Sequence, residues 1–297
     1  MINGIVNVYK ESGFTSFDVV AKMRGIFHQK KIGHTGTLDP DAQGVLPVCL
    51  GRATKVCDLL TDKDKEYEAV MLLGMTTDTQ DVSGTVLNRQ KVTVTEDAVK
   101  TVITSFEGEY MQIPPMYSAL KVNGQKLCDL ARKGIEVERK ARSVTIHKIQ
   151  ILEINLPRVR MKVECSKGTY IRTLCQDIGK KLGCGACMES LLRTRVSEFR
   201  LDGALRLQQI EELVQREDFS FVQSVDSVFM QYDSAQVMEI AKKMVENGNR
   251  IPEEMICNMC QEKEQKCIRL YDWENRFIGL YAYMPQEQDF KPIKLFI

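Results

Sequence analysis

One carboxylate stands out by the backbone around it. In GHTGTLDPDAQG, Asp39 lies between Gly36 and Gly44 and precedes Pro40, so the chain there can approach a ligand closely. A carboxylate so placed can serve as a nucleophile or a general base. Asp41 is two residues on, but on a bent loop the two need not face one cavity, and spacing alone does not make them an acid and base pair. Taken by itself, an Asp-Pro step is more often an Asx turn that caps its own loop.

The elements that must position this loop follow from periodicity. GIVNVYK reads as a strand, and Thr15 with Asp18 resembles an N-cap pair opening an amphipathic helix through Val19, Val20, Met23 and Ile26. KKIGHTGTLDPDAQGVLP holds Gly33, Gly36, Gly44, Pro40 and Pro47, a density that argues against any regular element and for a shaped loop. ATKVCDLL predicts a short helix, the run with Tyr67, Ala69, Met71 and Leu73 an inward-alternating strand, and the stretch from about Thr95 to Ser105 a helix.

IPPMYSALKVNGQK is a second turn-rich segment, with a Val-Asn-Gly turn signal and a following helix stopped at Gly134. Strands are expected from about Ser143 to Ile154 and in VRMKVEC, where Arg160, Lys162 and Glu164 form an outer, mainly basic face. CSKGTYIRTLCQDIGKKLG turns through Gly168 into a helix ended near Gly183, and MESLLRT is expected on another helix. Beyond about Ser234 come a helix closed at Asn247 and Gly248 and strands at CIRLYD, RFIGLYAYM and PIKLFI. The chain reads as α+β, with a main domain over residues 1–230 and a small β-rich domain over 235–297.

Charge is segregated along this order. The formal net charge is only +1, yet Tyr110 to Arg200 holds nine Lys and nine Arg against eight acids, leaving about −9 for the rest. A basic stretch in a neutral protein points to phosphate contact, although long cationic side chains also serve simply to cover strand faces.

The motifs together go further. HTGTLDPDAQGVLPVCLGRATK closely resembles the catalytic motif of the bacterial TruB-type tRNA pseudouridine synthases. Matches follow in the same order: KEYEA with GMTTDTQDVSG, PPMYSALKVNGQKL with ARKG, CSKGTYIRTL, and LLRT ending in Phe199, spanning roughly residues 4–210. The resemblance implies that family's catalytic fold, a mixed, mainly antiparallel sheet flanked by helices. The tail is similar to a PUA-type RNA-binding appendage.

It also implies a reaction: uridine 55 in the T loop of tRNA is flipped out and isomerised to pseudouridine, with Asp39 as nucleophile. No cofactor and no metal are implied, because the uracil only detaches, turns and rejoins through C5. By the same resemblance Arg172 keeps Asp39 ionised, and Tyr67 stacks on the target base and is a candidate for handling the C5 proton. Tyr170 is a second active-site aromatic, Leu191 an apolar residue of the uracil pocket, and His34 takes up space within the T loop. By pattern alone Tyr67, Tyr170 and Leu191 would be core residues, Arg172 a surface residue on a first helical turn, and His34 a hydrogen-bonded loop residue.

The sequence departs from the family pattern at Glu11, where proline commonly follows the lysine, at Cys128, where tyrosine is frequent, and at Ser197, where glycine is usual. These bear on RNA contact rather than on the reaction. Two Cys-x-x-Cys pairs, Cys184 with Cys187 and Cys257 with Cys260, could in principle form a zinc site, but the residues between them do not resemble a zinc ribbon. Ten cysteines mostly in apolar or helical stretches suit a reducing compartment, and no signal peptide or spanning helix is visible, so a cytoplasmic protein is expected. The expected partner is tRNA through its T arm, with no membrane and no obligate protein partner, and a monomer by default. Two other readings stay open: a non-catalytic tRNA-binding or folding factor, and an enzyme acting on a different RNA.

Overall fold

The computed structural model describes residues 1–257 and 267–297. Gly4–Lys10 form β1, buried on both faces, which suits the near-continuous apolar run of GIVNVYK. At the start of α1 (Ser16–Ile26) the Thr15 hydroxyl accepts from the Asp18 N–H at 3.1 Å, and Asp18 Oδ2 accepts from the Thr15 N–H at 2.8 Å. This reciprocal box fixes the helix start.

β2 (Ile32–His34) and β3 (Gln43–Leu50) follow, so the glycine- and proline-rich segment is irregular only across residues 35–42. The expectation of a loop throughout is corrected: Pro47 lies inside β3, opposite Asn7 of β1. Its carbonyl accepts from both the N–H and the hydroxyl of Thr35 at 3.2 Å, and pairing on both sides outweighs the missing proline donor.

A 3-10 turn leads into α2 (Cys57–Thr61), and β4 (Lys65–Leu73) then buries every odd residue, as its alternation requires. β5 (Met75–Thr77) and β6 (Val86–Arg89) form a small separate hairpin. α3 (Glu96–Thr104), capped by Thr95, precedes β7 (Gly108–Gln112). β8 (Lys121–Val122) and β9 (Gln125–Lys126) are joined through Asn123 and Gly124, both at positive φ, the conformation that an Asn-Gly hairpin turn needs. α4 (Leu127–Arg132) stops before Gly134.

β10 (Arg142–Asn155) and β11 (Arg158–Cys165) make the long antiparallel pair, α5 (Ile171–Lys181) follows, and then β12 (Ala186–Val196). MESLLRT therefore lies on a strand, not on the expected helix. Met, Glu and Leu favour a helix locally, but this segment pairs along β4 from Ala186 opposite Leu73 to Val196 opposite Lys65, and also runs parallel to β3. Ladder pairing overrides local propensity.

With β13 (Phe199–Arg200) beside β12 and β2 beside β3, the main sheet runs β1-β3-β12-β4-β11-β10-β7, antiparallel except at β3–β12. α1 and α6 (Leu207–Gln215) cover Val6, Val8, Leu46 and Val48, while α3 and α5 cover Met71, Met161 and Val163. The outer face of β11 is not a free basic surface: Arg160 pairs with Glu68, Lys162 with Glu66 and Glu164 with Arg195, so neighbouring strands neutralise it.

The last strands are β14 (Ser234–Val237), β15 (Ile251–Pro252), β16 (Ile256–Cys257), β17 (Cys267–Tyr271), β18 (Phe277–Met284) and β19 (Asp289–Leu295). They form a second, six-stranded sheet around Val237, Leu270, Tyr281 and Phe290. The helix expected after Ser234 shrinks to α7 (Lys242–Glu246), because Ser234–Val237 pairs with β17 instead. Leu280 and Phe296 of this unit pack on Ile5, Val45 and Cys49, the opposite face of β1 and β3 from α1. No described helix is long and apolar enough to cross a membrane.

Candidate active site

Residues 35–42 hang between two core anchors, Leu38 and Ala42, which leave Asp39 partly exposed between them. Three side chains from other elements hold the segment. The Ser16 hydroxyl, at the start of α1, accepts from the Leu38 N–H at 2.9 Å. Lys10, wholly buried at the end of β1, donates from Nζ to the carbonyls of Phe14 (2.5 Å), Pro40 (2.9 Å) and Glu11 (3.1 Å). Arg193, wholly buried in β12, donates from Nε to Val45 O at 2.7 Å and from its terminal nitrogens to Gly36 O (3.3 Å) and Thr37 O (3.4 Å). Burial lowers Lys10 to about 8, with the Asp39 charge pulling the other way, and burial lowers Arg193 too. Sequence reasoning singled out neither cation, since Lys10 looks there like an ordinary strand residue and Arg193 like an ordinary residue of the helix expected over MESLLRT.

Arg172 is the second residue of α5. Its Nη2 donates to Asp39 Oδ1 and its Nε faces Oδ2, both at 3.0 Å, the fork geometry of a guanidinium on a carboxylate. It also donates to the carbonyls of Tyr117 (2.8 Å) and Thr79 (3.1 Å). Its side chain is 6% exposed against 35% for Asp39, so the cation is locked while an edge of the carboxylate stays accessible. Burial pushes the Asp39 carboxyl above the usual carboxylate range, the guanidinium draws it back, and the nearby Asp81 charge adds to the rise.

Asp81 is the second carboxylate of this site. Its Oδ2 lies 3.6 Å from Arg172, and its Oδ1 accepts from the Ser83 hydroxyl at 2.6 Å and the Thr79 hydroxyl at 2.7 Å. Asp41 stays exposed on the loop. GMTTDTQDVSG contains Asp81, but no spacing in the sequence ties it to Asp39.

Asp39 and Arg172 open onto a cavity of about 310 Å³ that Tyr67, Tyr170 and Leu191 also line. Five of the six residues singled out in the sequence thus meet around one space. The sixth, His34, lines an adjoining cleft of about 660 Å³, which shares Asp39, Arg172 and Leu191 with the cavity. His34 Nδ1 accepts from the Gly36 N–H at 3.2 Å, and burial lowers its proton affinity, so the ring is neutral at pH 7. Tyr67 lies against Arg193; burial pushes its phenol up to about 12 and the guanidinium opposes the rise.

Tyr170 caps α5, and the buried Gln112 of β7 clamps its backbone: Oε1 accepts from the Tyr170 N–H at 2.7 Å and Nε2 donates to its carbonyl at 3.0 Å. Gln112 was also missed, because a single amide in a strand carries no pattern. An oriented carboxylate beside two phenols and a leucine can attack a planar base or its sugar while the aromatic and apolar groups replace lost stacking.

Among the described residues no group of three or more His, Cys, Asp or Glu is placed to hold a metal ion. Cys184 and Cys187 are buried thiols, the latter pushed up by burial to about 11, and Cys260 lies outside the described residues. Of the departures from the family pattern, Glu11 pairs with Arg206 at 2.6 Å, Cys128 lines the cleft, and Ser197 takes φ +52°, a region where glycine is unstrained.

The family model for the N-terminal domain of TruB family pseudouridylate synthases matches residues 24–171, and that for the tRNA pseudouridylate synthase B C-terminal domain matches residues 172–235. Relatives named tRNA pseudouridine synthase B are 54% identical in Lachnoclostridium phytofermentans, over 100% of both chains, and 45% identical in Clostridium acetobutylicum, over 99% of both. Among solved structures, a chain of a Cbf5-Nop10-Gar1 complex superposes with a TM-score of 0.72 at 27% identity, covering 99% of this chain and 85% of that one. A chain of an H/ACA RNP bound to a substrate RNA containing 2'-deoxyuridine superposes with a TM-score of 0.71 at 25% identity, with the same coverage. Full-length identity at this level, joined to the shared architecture, shows that the chain belongs to the TruB family of pseudouridylate synthases.

Proposed function

We propose that the chain converts uridine 55 in the T loop of tRNA to pseudouridine, with Asp39 as the nucleophile. The observation that carries the reading is the Asp39–Arg172 pair opening onto the cavity lined by Tyr67, Tyr170 and Leu191. Relatives named tRNA pseudouridine synthase B support the substrate class. The uridine leaves its stack, Asp39 attacks, the glycosidic bond breaks, and the uracil turns and rejoins the ribose through C5. N1 gains a proton and C5 loses one, so the isomerisation balances without a co-reactant.

A group of cations supports contact with RNA phosphates. Burial and then the neighbouring charges of Lys31, Arg52 and Lys294 lower the proton affinity of Lys55, which puts four cations in one patch. Such a patch suits an RNA backbone. It lies outside the basic stretch picked out by composition. Lys294 belongs to the six-stranded unit, which supports reading residues 235–297 as a PUA-like RNA-binding domain beside a catalytic domain of residues 1–230. The reading is of a single chain acting in the cytoplasm.

The test is incubation with an unmodified tRNA transcript, no cofactor added, followed by chemical labelling and primer extension. One modification at the T-loop uridine, lost in Asp39→Asn, is expected. Binding without modification by the wild-type chain would favour a tRNA-folding factor, a reading that the cation patch by itself also supports.

A further inference from the structure

We infer that Phe17 is a stacking platform for a nucleobase next to the target uridine. The inference deepens the proposed function and rests on it.

Phe17 is the second residue of α1 and is 64% exposed. The buried positions of that helix, Ser16, Val19, Val20 and Met23, mark its inward face, and Phe17 stands outside it. Phe14 and Phe27 pack on the core beneath α1, whereas Phe17 joins none of the apolar clusters among the described residues. The ring therefore adds no packing to the fold, and alanine at the same position would favour the helix more.

What surrounds the ring points to a ligand. Phe17 lines the cleft of about 660 Å³ together with Asp39, Arg172 and His34, but it does not line the cavity held by Tyr67 and Tyr170. A uridine seated at Asp39 brings the nucleotides joined to it into this cleft. The ring also keeps a set place relative to the nucleophile. Its neighbour Ser16 accepts from the N–H of Leu38, the residue before Asp39, at 2.9 Å, and the reciprocal box of Thr15 and Asp18 fixes the same turn. The Arg24 guanidinium lies 5.8 Å from the ring centroid, which puts a cation beside the ring where a stacked base would carry its phosphates.

The chemistry selects a base as the occupant. Everting the target uridine breaks its stack with both neighbours and leaves each with a bare face. Tyr67, Tyr170 and Leu191 serve the everted base itself; the exposed ring of Phe17 offers a neighbour the planar surface it has lost.

Phe17→Ala, Phe17→Leu and Phe17→Tyr in the full chain test this by filter binding of an unmodified tRNA transcript across a salt series, beside melting temperatures. Phe17→Ala is expected to bind about tenfold more weakly, by the same factor at every salt concentration, because an uncharged ring releases no counterion. Tyrosine is expected to restore binding and leucine not, since leucine keeps apolar area but has no π-face. Transcripts made abasic at either neighbour of the target supply the partner half of the cycle: at one of them wild-type binding is expected to weaken by a similar factor, with no further loss on adding Phe17→Ala. A loss in Phe17→Ala of less than about threefold would overturn the inference, as would full recovery by leucine, additive losses at both abasic positions, or a lowered melting temperature. A wild-type chain that binds the transcript and forms no pseudouridine would overturn the proposed function itself, and this inference with it.

Discussion

Asp39 and Arg172 meet through two contacts of 3.0 Å, one to each carboxylate oxygen. The carboxylate comes from the loop between β2 and β3, and the guanidinium from the first turn of α5, 133 positions away. The fork sets the plane of the carboxylate, and the same guanidinium opposes the rise in proton affinity that burial imposes on it.

Asp39→Asn keeps the shape of this pair but removes the charge and the nucleophilic oxygen. Pseudouridine formation is expected to fall by roughly 10⁴-fold or more, with tRNA Kd little changed. Tritium release from C5-labelled tRNA measures the first and filter binding the second; residual activity within tenfold of wild type would remove Asp39 from the role of nucleophile.

Arg172→Lys keeps a positive charge but loses the fork and the contact to one of the carbonyls of Thr79 and Tyr117. In the proposed reaction only ionised Asp39 attacks, and the guanidinium lowers its pKa, so weakening the pair raises that pKa. The acid limb of the pH–rate profile is expected to move to higher pH, with part of the loss recovered in alkali. An unmoved limb would separate Arg172 from the ionisation of Asp39.

Lys10 gives a stability test. Burial holds its folded pKa at about 8, below the ordinary value near 10.4 of an unfolded chain. Between those values the unfolded state binds more protons, so the Lys10 contribution makes wild-type stability rise with pH across that window, and below about 8 the cost of the buried charge is fully present. Lys10→Met is expected to lack the rise and, by stripping donors from the carbonyls of Glu11, Phe14 and Pro40, to lose roughly 1–3 kcal/mol at pH 7. Urea unfolding of both proteins from neutral to alkaline pH gives the difference curve; a flat one contradicts the assignment.

Lys55→Gln removes one cation from the patch with Lys31, Arg52 and Lys294. The log–log salt dependence of tRNA binding is expected to lose about one unit of slope, while the single-turnover rate at saturating tRNA holds. An unchanged slope would place the phosphate backbone elsewhere.

Much of the fold was legible because its causes are local. Alternation along β4, the cap of α1, the extent of α3 and the Asn-Gly turn between β8 and β9 each depend on residues a few positions apart. MESLLRT misled because its side chains favour a helix, and nothing near it in the chain reveals that β4 will be its neighbour.

The same division runs through the site. Sequence alone determined the glycine- and proline-shaped loop carrying Asp39, and by resemblance the set of Tyr67, Tyr170, Arg172, Leu191 and His34, because short motifs survive as contiguous text. Only the tertiary structure decided that Asp81 rather than Asp41 shares Arg172, that Lys10 and Arg193 pin the loop through backbone carbonyls, and that Gln112 clamps Tyr170. Those contacts join residues from distant strands, and a buried polar group finds its partner through the pairing of strands, not through its neighbours in sequence.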